Sequence, residues 1–132
     1  MTVHLTVINP NTTASMTALI EAEARRVAGP DTVITARTPS MGPASIESHY
    51  DEALAVPGLL EIIREDQQAD AFVLACFGDP GLDAAREAAS RPVIGIAEAA
   101  MKTASLLGRS FSVVTTMSRT VGRAWDLTRT YG

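Results

Sequence analysis

The chain opens with six residues rich in β-branched side chains, Val3 to Ile8 (VHLTVI), which stop at the polar run Asn9-Pro10-Asn11-Thr12-Thr13. Branched side chains suit a pleated strand, and the Asn and Thr side chains that follow are good caps for a helix start. Apolar positions then recur at Met16, Leu19, Ile20, Ala24 and Val27, the spacing of an amphipathic helix, which Gly29-Pro30 closes. A short second strand is predicted over Val33–Ala36, followed by a loop from Thr38 to Ser48 broken by Pro39, Gly42 and Pro43. Tyr50 to Glu65 returns to helical spacing through Ala53, Leu54, Leu59, Leu60, Ile62 and Ile63. Pro57 lies inside it and predicts a kink or two shorter helices.

Ala71 to Ala75 (AFVLA) is apolar throughout, the pattern of a strand buried on both faces, and Cys76-Phe77-Gly78-Asp79-Pro80-Gly81 reads as the loop that leaves it. The pattern continues with a helix over Leu82–Ala89, a strand over Pro92–Ile96, and a helix over Ala97–Leu107 capped by Gly108. A fifth strand over Phe111–Thr115 (FSVVT) and a last helix from Ser118 to Thr128 complete it. Strands alternating with helices predict a three-layer α/β/α fold, flavodoxin- or Rossmann-like, with a parallel sheet covered on both sides. In such sheets ligands gather at the carboxyl ends of the strands, near a switch in strand order. Three polar loops stand at such ends, after Ile8, Ala75 and Val114. A faint internal echo links Leu5-Thr6-Val7-Ile8 and its Thr-rich turn with Phe111-Ser112-Val113-Val114 and Thr115-Thr116-Met117-Ser118.

Composition narrows the function. At 132 residues, 46% hydrophobic and 20% charged, the chain has material for one α/β core and no disorder signature. Its 11 basic and 15 acidic residues give a formal charge of −4 with no basic cluster, which argues against nucleic acid as a partner. A single cysteine excludes an intrachain disulfide and suits a reducing cytoplasm. No basic leader precedes the first strand and no apolar run reaches membrane-spanning length, so a soluble, cytoplasmic protein that does not bind membranes is expected. A sheet that ends at its fifth strand would leave an unpaired edge, and on that ground a homo-oligomer is expected.

Cys76 is the first candidate for chemistry. It follows an apolar strand and precedes a turn and a helix, where free N–H groups and the helix dipole would favour a thiolate; the plain alternative is a small buried apolar side chain. Asn11, with Thr12 and Thr13, offers amide and hydroxyl groups at a helix start, either as a carbonyl or anion site or as ordinary caps. Thr115 and Thr116 hold the equivalent place after the fifth strand. His49, His4, Glu98, Asp79 and Asp83 are read as structural, the acids as helix-start residues. Dinucleotide-binding glycines, a phosphate-binding loop, metal-ligand spacing and a serine elbow do not occur.

Four motifs in order resemble the Asp/Glu/hydantoin racemase family, and within it the hydantoin and allantoin branch: INPNTT from Ile8, GPASIES from Gly42 followed by Tyr50-Asp51-Glu52, ACFGDPGL from Ala75, and PVIGIAE from Pro92. The resemblance spans essentially the whole chain. It implies two pseudo-symmetric α/β halves with the substrate between them, each half giving one cysteine, and neither pyridoxal phosphate nor metal. One thiolate removes the proton at the stereogenic carbon and the other thiol returns a proton to the opposite face. Carried over, Cys76 is the first catalytic thiol. Asn11, the backbone at Phe77 and Gly78, and Thr115 and Thr116 hold the carbonyl and amide groups of a small-molecule substrate, a 5-substituted hydantoin or allantoin.

The resemblance also sets an expectation about completeness. Family members are about twice this length, and their second cysteine lies in the second half. Residues 1–109 then form the first half, residues 110–132 start a truncated second, and one chain supplies one thiol. Either activity is lost, or two copies face each other and each gives its Cys76. Two other readings stand beside this one: a fragment that only binds small molecules or plays a structural part, and another carbon-acid enzyme of the superfamily, an aspartate or glutamate racemase or a maleate isomerase.

Overall fold

The computed structural model describes residues 1–132. Four strands, β1 (Val3–Ile8), β2 (Thr32–Arg37), β3 (Ala71–Leu74) and β4 (Val93–Gly95), alternate with α1 (Ala14–Val27), α2 (His49–Glu65) and α3 (Leu82–Ala88). Then follow α4 (Ile96–Leu107), a 3₁₀ turn at Ser118–Thr120 and α5 (Val121–Tyr131). The strands form one parallel sheet in the order β2-β1-β3-β4. The α/β architecture expected from the alternating pattern is the observed one. Because the chain steps from β1 outward to β2 and then back past β1 to β3, the strand order reverses between β1 and β3. Their carboxyl ends, at Ile8 and Leu74, frame the crevice where α/β sheets bind ligands.

One face of the sheet carries the main core. Ile8, Phe72, Leu74 and Val93, each no more than 5% exposed, pack against Leu59, Ile62 and Ile63 of α2 and Leu82 and Ala85 of α3. Right-handed crossovers put α1 on the opposite face, over β1 and β2, where Val7 and Ile34 are buried. Cover on that face runs out toward β4, where Ile94 is 46% exposed. A smaller cluster, Ala97, Met101 and Leu127, joins α4 to α5, with Val113 and Tyr131 against it.

One expectation narrows and another needs correction. Of the two alternatives at Pro57, two shorter helices are ruled out: α2 is one helix from His49 to Glu65. Pro57 removes one backbone donor, but tight packing around the next residues holds the helix: Leu59 is fully buried, and a Cβ at Gly58 would overlap the Met41 carbonyl. The predicted fifth strand does not form. Phe111–Thr115 joins no ladder despite its branched side chains; Val113 turns toward α4 and α5, while Val114 is 96% exposed. Branched residues make a strand only where a neighbouring strand offers a ladder, and β4 is paired only with β3.

Side chains take up some of the outward backbone groups of β2 and β4. On β2, Arg25 donates to the Ile34 carbonyl (3.2 Å) and the Ala36 N–H donates to Glu21 (3.4 Å); on β4, Arg86 donates to the Val93 carbonyl (3.2 Å).

Candidate active site

β3 delivers Cys76 to the crevice. The Ala75 N–H still donates to the Ile8 carbonyl (2.8 Å), so the chain follows β1 for one residue beyond the strand and then turns. The turn uses positive φ at Gly78 (145°), Asp79 (46°) and Gly81 (70°), a conformation that favours glycine and that Asp tolerates best among acids. α3 starts only at Leu82, with Gly81 as its cap. Five residues of turn, Phe77–Gly81, therefore stand between Cys76 and α3.

Asp79, read from sequence as a helix-start acid, has a different part. It is 3% exposed, and its carboxylate accepts from the Ala97 N–H (3.0 Å) and the Glu98 N–H (2.8 Å) of α4 and from the Tyr131 hydroxyl (2.7 Å) of α5. Burial and the bond to Asp79 hold the Tyr131 hydroxyl well above the ordinary phenol range, so it stays a donor. Glu98 pairs with Arg86 at 2.6 Å.

Cys76 lies on the wall of a cavity of about 580 Å³, bounded by the start of α2, the Cys76–Phe77 turn, α4, the Phe111–Thr116 segment and α5. The start of α2 is fixed by Ser48, whose hydroxyl accepts from the Asp51 N–H (3.2 Å) and donates to the Asp51 carboxylate (2.7 Å). The Ser48 bond, then one from the Glu47 N–H, lowers Asp51 below the usual carboxylate range. With that start in place, His49 and Glu52, three residues apart, face the cavity together at 3.4 Å. Charges pair across it: Glu52 with Arg123 (3.3 Å) and Glu47 with Arg119 (3.0 Å). Arg123 also donates to the Gly78 carbonyl (2.8 Å), while its Nε, close to Glu52 but not aligned to donate, has no hydrogen-bond partner.

These surroundings keep the thiol protonated. Burial first, then the carboxylates of Glu52 and Asp79, push Cys76 from the ordinary 9.0 up to about 11, and Arg123 only partly opposes them. At neutral pH the group facing the cavity is an S–H, a proton donor.

Of the residues singled out from sequence, Cys76, Phe77, Thr115 and Thr116 line this cavity together. The Thr115 hydroxyl is 2.6 Å from that of Thr120. Gly78 sits behind the wall, and neither its N–H nor that of Phe77 donates within the chain. Asn11 is not on the cavity wall. It is 6% exposed, and its side-chain oxygen accepts from the Thr13 N–H (2.9 Å) and from Asn9 (2.9 Å). Sequence reasoning passed over Glu52, Arg119 and Arg123 and set His49 aside. The Ser48-x-x-Asp51 cap was a usable signal for the α2 face; for the arginines there was none, since their partners are remote in sequence. No three His, Cys, Asp or Glu side chains converge as a metal site would require.

The profile of the family described as Asp/Glu/Hydantoin racemase matches residues 5–132. The chain belongs to this family. Among relatives in the racemase family, it is 54% identical over 128 residues to the hydantoin racemase of Pseudomonas sp. (strain NS671), covering 96% of this chain and 51% of that protein. It is 51% identical over 131 residues to the hydantoin racemase of Rhizobium meliloti, covering 98% and 54%. The allantoin racemase from Klebsiella pneumoniae superimposes with a TM-score of 0.95 at 53% identity, over 98% of this chain and 54% of that one. The chain spans about half the length of the curated relatives it matches.

Proposed function

We propose that the chain takes part in a cofactor-independent racemase acting on 5-substituted hydantoins or allantoin, with Cys76 as one of two acid/base thiols. The observation that carries this is a protonated thiol on the wall of a ligand-sized cavity at the reversal point of the sheet. Its similarity to hydantoin and allantoin racemases supports the substrate class. A base on one face of the ring removes the proton from the stereogenic carbon, and the electron pair moves into the adjacent carbonyl as an enolate. The Cys76 S–H then gives its proton to the opposite face, leaving a thiolate, and in the reverse direction that thiolate is the base. The unused N–H groups of Phe77 and Gly78 suit the developing enolate oxygen, and the Thr115 and Thr116 hydroxyls suit ring carbonyl and amide groups. Asn11 acts one step back, by holding the loop after β1.

Cys76 is the chain's one cysteine, so in this reading the second thiol comes from outside these 132 residues, from further sequence of a longer protein or from a second copy. Residues 1–109 are then the first of two α/β halves and residues 110–132 open the second. A reducing cytoplasm suits an enzyme that depends on free thiols, and no helix is long and apolar enough to cross a membrane. The test is hydrogen exchange. In heavy water, deuterium should enter the stereocentre of a 5-substituted hydantoin or of allantoin, and Cys76→Ala should abolish it. Ligand-induced thermal stabilisation without exchange, even when the chain is joined to a family second half that carries the other cysteine, would leave only a binding domain.

A further inference from the structure

Asp79 is the buried ionisable group that the proton-transfer scheme leaves without a part. Its backbone has left-handed φ, and its carboxylate is 3% exposed yet held by three donors from two different helices. Two of them, the Ala97 and Glu98 N–H groups, belong to the first turn of α4 and have no acceptor inside their own helix. The cap of α4 is therefore supplied by the Cys76 turn, and the carboxylate meets the positive end of the α4 dipole. Gly95 makes room for it, since a Cβ there would overlap the Asp79 carboxylate. On the other side, the Asp79 N–H donates to the Cys76 carbonyl (3.0 Å) and the Asp79 carbonyl accepts from the Leu82 N–H (3.2 Å). A continuous run of bonds thus ties Cys76 to α4 and, through Tyr131, to the far end of α5.

We propose that Asp79 is a positioning residue for Cys76: clamped between the first turn of α4 and the Tyr131 hydroxyl, it fixes the Cys76–Gly81 turn so that the thiol sits on the cavity wall. The proposal rests on Cys76 being the reacting group, but its test needs no substrate. Cys76 is the only thiol, so alkylation by iodoacetamide reports on it alone. Gly95→Ala pushes on the carboxylate and Tyr131→Phe removes one of its three donors, and neither changes the charge near the sulfur. At about pH 8, well below each variant's melting temperature, both should alkylate faster than the parent chain, Gly95→Ala by about threefold or more, because a released turn exposes a thiol that is now partly buried. Asp79→Asn keeps the shape, sets an NH₂ against a helix N–H and removes a negative charge. It should alkylate faster still, with its pH profile moved to lower pH.

A purely structural Asp79 would lower the melting temperature and leave the alkylation rates of the folded variants at the parent value; that result overturns the proposal. Should Asp79→Asn fail to fold, the other two variants decide by the same rate. Altered alkylation, with no deuterium exchange even when a second cysteine-bearing half is supplied, would sink the racemase reading and leave Asp79 as the clamp of the thiol, and exchange with unaltered alkylation would do the reverse.

Discussion

After β1 the chain turns through Asn9–Thr13, and after β3 it turns through Cys76–Gly81; both turns sit where the strand order reverses, and each carries a buried polar side chain. The first is closed on itself. Asn9, 1% exposed, donates from its amide to Asn11 (2.9 Å), Thr17 (3.0 Å) and the Thr13 carbonyl (3.3 Å), and Thr13 reaches across to the Ala44 carbonyl (2.7 Å). The second is closed only on one side. Asp79 is saturated, while the Cys76 thiol and the Phe77 N–H are left unpaired at a cavity wall, with the unpaired Gly78 N–H behind it. Groups that satisfy one another stabilise the fold, and groups left unsatisfied at a cavity remain available to a ligand.

If that contrast is right, the largest stability loss belongs to the closed turn. Asn9→Ala leaves the buried Asn11 N–H without its acceptor, removes a donor shared by Asn11, Thr17 and Thr13 and opens a void, and should cost about 3 kcal/mol in urea unfolding; a loss near zero would show that the network is ornamental. Next comes pH. Because the folded chain raises Cys76 from 9.0 to about 11, it holds that proton more tightly than the unfolded chain does. The resulting stability is complete below about pH 9 and is lost as pH rises to about 11, an effect of about 3 kcal/mol. Stability curves of the parent and of Cys76→Ser should therefore diverge in that window, with the parent falling more steeply, and parallel curves would contradict the assignment. At neutral pH the same Cys76→Ser change should cost less than about 1 kcal/mol, since the thiol makes no hydrogen bond that the fold depends on. The smallest effect on stability is expected from Glu52→Gln. Losing that carboxylate and freeing Arg123 both favour the thiolate, so Cys76 alkylation should begin at lower pH while the melting temperature scarcely moves.

The layout of the molecule was legible wherever a local pattern decides it. The β-branched start, the apolar AFVLA run and the glycine- and proline-marked loops placed four strands and the helices between them, because a parallel strand buried on both faces has a composition of its own. Phe111–Thr115 has that composition too, but ladder formation is a property of the neighbour, which a single segment does not encode. The site divides in the same way. Cys76 was marked by its place after a strand, Phe77 by the resemblance to the family, and Thr115 and Thr116 by their echo of the first loop. Arg123 and Tyr131 act on residues about fifty to seventy positions earlier, a relation that only the folded chain creates. Asn9–Thr13 and Cys76–Gly81 looked equally suited to chemistry, since sequence shows which polar groups a loop carries but not which of them find one another.

The two rims of the sheet have a consequence for how this molecule behaves in company. Arg25, Glu21 and Arg86 hold three of the outward backbone groups a foreign strand would use, so a visiting chain would have to displace charged side chains at each of them. Growth of the sheet from one molecule into the next, the usual first step toward fibres, thereby carries an added cost at both ends. Crowded solutions of the folded chain should resist that kind of polymerisation even though its sheet has only four strands.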